Sequence, residues 1–79
     1  MKTKSFKPKI ESVHQIQGYV KNKISIIDSN ENKLLKIDLI IEEIVVNIVN
    51  YGCKGIKNCV IDIRVETSGD NVILEISDN

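Results

Sequence analysis

Residues 33–51 read KLLKIDLIIEEIVVNIVNY, and this stretch decides the fold. Its apolar side chains lie on nearly every side of the helix that the stretch predicts, and Gly52 and Gly55 follow as signals for the end of that helix. Apolar side chains on all sides need cover from other elements. We therefore expect a central helix that is buried over most of its circumference.

A second, amphipathic helix is predicted upstream of it. One apolar stripe recurs there at spacings of three and four, formed by Ile10, Val13, Gln17, Val20, Ile24 and Ile27. His14 lies beside this stripe and is expected to be a partly buried structural histidine rather than a catalytic one. Residues 28–32 contain no apolar side chain and predict a loop, and Lys2–Lys7, ended by Pro8, predicts a short edge strand.

Two strands are predicted downstream. Residues 60–67 alternate between apolar and polar side chains, and residues 71–77 alternate again after the turn Ser68-Gly69-Asp70. Alternation with period two indicates a sheet with one packed face and one hydrated face. The element order predicts an α+β fold, a two-layer sandwich with the helices on one face of a mixed or antiparallel sheet.

Length and composition narrow the classes of function. The 79 residues allow one domain, residues 1–79, and 11 Lys and Arg balance 11 Asp and Glu, which argues against a nucleic-acid partner. No apolar run approaches the roughly 18 residues of a membrane span, and the first residues lack the apolar segment of a signal peptide. We expect a cytoplasmic protein with no membrane partner, in which Cys53 and Cys59 are reduced thiols rather than a disulfide.

A polar stripe interrupts the apolar helix. Glu43, Asn47 and Asn50 lie four and then three residues apart and share one narrow face, beside Leu39, Ile40 and Val46, which we expect to be buried. Burying these polar groups without partners would cost several kcal/mol. Either the stripe bonds to nearby backbone and fixes packing, or it lines a cavity for a polar ligand. The residues favour neither alternative, and Glu42 is expected to be solvated.

Asp78 is the second polar group on an apolar face. It has the same parity as Val72, Leu74 and Ile76, so its side chain is predicted to point to the face that the helices cover. A carboxylate there needs a donor, which either the amino group of a ligand base or a backbone amide would supply.

These residues resemble two motifs of the GHKL, or Bergerat-fold, ATPase superfamily. Residues 39–52 resemble its N box, and Ile73-Leu74-Glu75-Ile76-Ser77-Asp78-Asn79 resembles the strand that enters its G1 box. The order of the two motifs and their separation by one hairpin fit the family. The resemblance covers about residues 6–79 and implies part of a histidine-kinase-like ATPase domain, an incomplete Bergerat fold.

The resemblance implies a role for each site residue. Asn47 would contact Mg²⁺ and through it the phosphates of ATP, Glu43 would be the catalytic general base, and Asp78 would accept a hydrogen bond from the adenine amino group. Asn50 and Tyr51 would border the nucleotide. An Asn oxygen is a suitable ligand for Mg²⁺ and a carboxylate can act as a general base.

Glu43 lies four residues before Asn47, and one helix and a loop precede the N-box motif. With these two features the chain resembles most the anti-sigma-factor serine/threonine kinases. Such a protein would bind ATP·Mg²⁺, hold a sigma factor, phosphorylate an antagonist of the anti-sigma factor, and form a homodimer. The alternatives are the ATPase portion of another GHKL protein, such as a sensor kinase, and a non-catalytic interaction module with a vestigial nucleotide site.

The sequence also departs from the family pattern. The family continues after the Asp of the G1 box with Asp-x-Gly, a lid and later strands, and these segments supply much of the phosphate binding. We therefore expect residues 1–79 by themselves to bind ATP weakly or not at all, with kinase activity in the full-length parent.

Overall fold

The computed structural model of the chain describes residues 3–69 and 71–78. Its elements follow the predicted order: β1 (Thr3–Phe6), α1 (Ser12–Ser25), α2 (Glu31–Asn47), a π-helical turn (Ile48–Gly52), β2 (Ile61–Ser68) and β3 (Asn71–Asp78). Lys2, Asp70 and Asn79, which the sequence predictions included, lie outside the described residues. Within the described part the α+β fold is confirmed.

The sheet is antiparallel, with strand order β1-β2-β3. Phe6 pairs with Ile61, and Ile61 pairs in turn with Asp78, so these three residues lie in line across one end of the sheet. The predicted turn between β2 and β3 uses Gly69 at φ 61°, a positive φ that glycine adopts without steric cost.

The core lies between the two helices and β2. Eight buried aliphatic side chains form it: Val13, Ile16, Val20 and Ile24 from α1, Ile41 and Val45 from α2, and Ile61 and Ile63 from β2. Each contributes about 1.5–3 kcal/mol when fully buried. The predicted stripe of α1 is confirmed at Val13, Val20 and Ile24, whereas Gln17 is only partly buried and Ile10 and Ile27 lie outside the helix and are exposed.

Polar contacts join α1 to α2 at the edge of this core. The Gln17 side-chain amide donates to the carbonyl oxygen of Asp38 at 3.0 Å, and Lys21 Nζ lies 3.0 Å from Asp38 Oδ2. Gln17 therefore belongs to the contact between the helices rather than to the apolar core.

The amino end of α2 is capped by Asn30. Its side-chain oxygen accepts hydrogen bonds from the backbone amides of Asn32 and Lys33, at 3.0 and 3.2 Å. Such a cap contributes about 1 kcal/mol, and it starts the helix at Glu31, two residues before the predicted start.

The prediction that α2 is buried over most of its circumference is wrong. Ile41 and Val45 are fully buried, whereas Leu35 and Leu39 are 60% and 63% exposed and Ile40 is 49% exposed. Among the described residues, α1 covers one flank of α2 and the sheet lies beneath it, so its outer side faces solvent.

The expectation of reduced thiols is also wrong. Cys53 and Cys59 form a disulfide, and both are buried. The loop between them turns through Gly55 and Asn58, at φ 75° and 62°, and brings the two Cα atoms to 5.6 Å, a separation typical of disulfides. The disulfide closes the loop that connects the π turn to β2.

Candidate functional site

The polar stripe of α2 lies on the solvent side of the helix. Glu43 and Asn47 are exposed, on the side opposite the buried Ile41 and Val45. Burial therefore imposes no energetic cost on these polar groups, because water reaches them. The stripe therefore needs no partner to offset its burial, contrary to the expectation from the sequence, and its residues are accessible to a ligand.

The neighbours of the stripe explain this correction. Leu39 and Ile40 were expected to be buried and are exposed, and Val46 is only partly buried. The sequence pattern cannot distinguish a helix covered on all sides from one with an uncovered apolar side, because both carry the same residues.

The π turn changes the geometry at the end of the stripe. From Ile48 onward the backbone bonds span five residues, as in the 2.8 Å bond from the Cys53 amide to the Ile48 carbonyl. This widened turn shifts Asn50 from the angular position that a uniform α-helix would give it. Asn50 is exposed and Tyr51 is 76% exposed, so neither is enclosed by other side chains.

Asp78 lies where the strand parity predicts, on the helix side of the sheet. Its carboxylate contacts the backbone of Gly52, and a Cβ atom placed on Gly52 would lie 3.4 Å from Asp78 Cγ and much closer to Oδ2. The strand that carries Asp78 and the turn that ends the α2 segment therefore meet at this point. The sequence identified Gly52 only as a helix stop, and its role in admitting the carboxylate was missed.

A groove of about 640 Å³ lies between α2 and β3. It is lined mainly by apolar side chains, among them Ile37, Ile40 and Ile44 from α2 and Val72, Leu74 and Ile76 from β3. Ile76 and Asp78 share a face of β3 and lie two residues apart, so Asp78 extends beyond the end of this groove.

The structure brings only some of the implied site residues together. Asp78 meets the end of the α2 segment, and Ile40 and Ile44 place one side of that helix in the groove. Glu43 and Asn47 do not line the groove, and they lie on the outer side of the helix. The described residues therefore form an open, one-sided surface rather than a closed hollow.

Two further expectations concern histidine and metal. His14 is exposed on α1, so the prediction of a partly buried structural histidine is wrong. Within residues 3–69 and 71–78, no three side chains of His, Cys, Asp or Glu are grouped closely enough to hold a metal ion. The donor predicted for Mg²⁺, Asn47, is a single amide oxygen open to solvent, which fits a hydrated Mg²⁺ carried by phosphates better than a metal site built from side chains alone.

Electrostatic contacts that the sequence did not identify lie at the start of α2. Lys33 Nζ lies 2.7 Å from Asp28 Oδ2, and the Asn30 amide donates to Asp28 Oδ1 at 3.0 Å. The hydrogen bond from Lys33 is the main cause that lowers the pKa of Asp28, and the bond from Asn30 adds to it. The same pair raises the pKa of Lys33.

The chain matches no protein-family model, and neither the curated proteins nor the solved structures include a significant match. The resemblance to the GHKL superfamily therefore depends on the two motifs of this sequence alone. In the described part of the chain, neither helix has the length and apolar character needed to cross a membrane.

Proposed function

We propose that residues 1–79 belong to an ATP-binding domain of the GHKL type, from an anti-sigma regulatory factor with serine/threonine kinase activity. The kinase activity that we propose is that of a complete ATP-binding domain of this type. The protein acts in the cytoplasm, on a sigma factor and an antagonist of the anti-sigma factor, and forms a homodimer.

One observation supports this proposal above the others: the contact of Asp78 with Gly52. Twenty-five residues of sequence lie between Gly52 and Asp78, yet the two residues are in contact. A nucleotide site of the proposed type needs the acidic strand end and the polar helix on one side of the sheet.

The exposed polar side chains also fit ATP·Mg²⁺ chemically. ATP supplies the phosphoryl group that is transferred, and the Asn47 side-chain oxygen would hold its Mg²⁺. The Asp78 carboxylate, open on the helix side of the sheet, would accept a hydrogen bond from the adenine amino group. Asn50 and Tyr51 would border the nucleotide, and the Glu43 carboxylate would accept the proton of the substrate hydroxyl.

A second candidate function is a non-catalytic interaction module with a vestigial site. The exposure of Glu43 and Asn47 beside the exposed apolar side chains of Leu35, Leu39 and Ile40 favours it, because apolar surface of this kind marks many protein contacts.

Isothermal titration of Mg²⁺·ADP into the chain and into the full-length protein distinguishes these functions. We expect micromolar binding by the full-length protein and weak or no binding by residues 1–79. Asp78→Asn should abolish the binding. Asp62→Asn is the matched control, because it makes the same charge change on the adjacent strand and keeps the oxygen that accepts from the Ser5 hydroxyl at 2.5 Å.

Two results would contradict the nucleotide-binding proposal. The first is a full-length protein that does not bind Mg²⁺·ADP or Mg²⁺·ATP. The second is binding that Asp78→Asn and Asp62→Asn weaken equally, because the strand end would then have no specific contact with the base.

A further inference from the structure

A second groove, of about 990 Å³, runs between β1 and the outer side of α1. Lys4, Phe6 and Lys7 line it from β1 and the residue after it, Lys9 lines it from the following turn, and Gly18 and Tyr19 line it from α1. We call it the β1 groove. It shares no lining residue with the apolar groove between α2 and β3.

The β1 groove is positively charged although the whole chain is neutral. Three lysines, Lys4, Lys7 and Lys9, line it, and Glu11 is the acidic residue among its lining side chains. Lys7 and Lys9 are exposed and are free to turn toward a ligand. A groove lined by charges of one sign attracts a partner of the opposite sign and speeds its association.

Two aromatic side chains, Phe6 and Tyr19, line the groove beside Lys4. The Phe6 and Tyr19 rings meet edge to face at 5.9 Å between centroids. Lys4 Nζ lies 5.7 and 5.3 Å from the two ring centroids, and Lys23 Nζ lies 5.2 Å from that of Tyr19. Cation–π contacts of this kind keep the ammonium groups beside an apolar surface.

β1 also offers backbone hydrogen-bonding groups to a partner. Within the described part of the chain it pairs with β2 on one side, which leaves its other edge open. An open edge is a template for another extended segment. Gly18 widens the groove beside this edge, since no atom lies within 4 Å of a Cβ built on it.

From these three features we infer that the β1 groove docks an acidic extended segment of a partner protein, which adds to the sheet as a strand beside β1. Its backbone bonds to the open edge of β1, and its acidic side chains meet Lys4, Lys7 and Lys9. Apolar atoms between the acids pack against the rings of Phe6 and Tyr19. The inference does not depend on nucleotide binding.

An acidic peptide fits this surface better than a nucleic acid or an anionic membrane. All three are negatively charged, but only a peptide also presents the alternating donors and acceptors that an open strand edge pairs with. The groove is also a concavity between a strand and a helix, whereas binding to a membrane surface typically uses the apolar face of an amphipathic helix, which enters the interface.

The test uses a short fluorescein-labelled peptide of alternating Thr and Glu, with alternating Thr and Gln as its uncharged counterpart. Fluorescence anisotropy with the 79-residue chain at low salt should show binding of the Glu peptide at least about tenfold tighter than that of the Gln peptide, since the Gln peptide cannot form the three exposed ion pairs with the lysines. The triple variant Lys4→Gln, Lys7→Gln, Lys9→Gln should lose the same factor. The matched control is Lys36→Gln, Lys54→Gln, Lys57→Gln, three exposed lysines outside the groove, which should change the affinity less than about twofold.

Two further measurements separate strand addition from simple charge attraction. Gly18→Leu should weaken peptide binding about tenfold by filling the groove, without lowering the melting temperature, because leucine is the better helix former. Hydrogen exchange of the β1 amides should slow when the peptide binds. Three results would overturn the inference. The first is an equal loss of peptide affinity in both triple lysine variants, and the second is unchanged hydrogen exchange of the β1 amides. The third is tighter groove-dependent binding of an oligonucleotide or of phosphatidylserine vesicles than of the peptide.

Discussion

The carboxylate of Asp78, near the end of β3, lies against the backbone of Gly52, at the end of the π turn that follows α2. A side chain on Gly52 would occupy the same space as Asp78 Oδ2. A glycine, which has no Cβ atom, therefore lies where the strand and the helical segment meet. The contact couples the position of the carboxylate to the end of that segment.

Gly52→Ala is expected to rotate the Asp78 carboxylate rather than unfold the protein. Oδ2 is at the free end of a side chain, so it can move, at a cost of about 1 kcal/mol for an unfavourable rotamer. Urea denaturation of Gly52→Ala, Asp78→Ala and the double variant measures this coupling. The added methyl should be nearly neutral once Asp78 is Ala, and full additivity of the two changes would show that the contact is absent in solution.

Glu43→Ala should leave stability within about 0.5 kcal/mol of the parent, because the side chain is exposed. If Glu43 is the general base of the proposed function, the same change in the full-length protein should stop phosphoryl transfer and largely spare nucleotide binding, since a general base acts in the transfer step. Glu42→Ala, an exposed neighbour on the same helix, is the control. Equal losses of binding and transfer, with a lowered melting temperature, would assign Glu43 a structural role instead.

The sequence predicted the element order and the strand faces because both depend on local patterns. Alternation in residues 60–67 and 71–77 identifies which side chains point to the helices, and the same parity places Asp78 correctly. The exposure of Glu43 and Leu39 could not be predicted, because it depends on which other elements cover α2. The spacing of apolar residues along a helix does not show which of its sides other elements cover.

The π turn and the disulfide were missed for a related reason. A turn that widens by one residue at Ile48 leaves no compositional mark, and two cysteines six residues apart are compatible with thiols or with a disulfide. Only the path of the loop, through Gly55 and Asn58, decides that they meet.

Reduction of the Cys53–Cys59 disulfide should destabilise the fold by about 2 kcal/mol, the value that loop-closure entropy gives for a short loop. The double variant Cys53→Ser, Cys59→Ser should lose a similar amount. Urea denaturation with and without dithiothreitol measures both. Dithiothreitol should have no effect on the double variant, and an identical stability of the oxidised and reduced parent would refute the prediction.

The Asp28–Lys33 pair should make stability depend on pH at both extremes. Because the folded pKa of Asp28 is lowered by Lys33, its contribution is present above the ordinary value of 3.8 and is lost as pH falls through the lowered pKa. Because the pKa of Lys33 is raised by Asp28, its contribution is present below 10.5 and is lost as pH rises through the raised pKa. Asp28→Asn should remove both dependences, and NMR titration of the Asp28 carboxyl carbon reports its pKa directly. A titration at or above 3.8 would show that the pair does not persist in solution.

Because α2 is buried on one side and exposed on the other, truncation of two residues that are close in sequence should change stability very differently. Ile41 is fully buried and Leu39 is 63% exposed. Ile41→Ala should destabilise the chain by about 2–5 kcal/mol through the cavity it leaves, whereas Leu39→Ala should change its stability by no more than about 0.5 kcal/mol. Denaturation of the two variants measures the difference. If a further element of a longer protein or a partner covers this side of the helix, Leu39→Ala should become destabilising there while remaining neutral in residues 1–79. A large loss for Leu39→Ala in the 79-residue chain itself would instead show that α2 is covered on both sides, as the sequence alone had suggested.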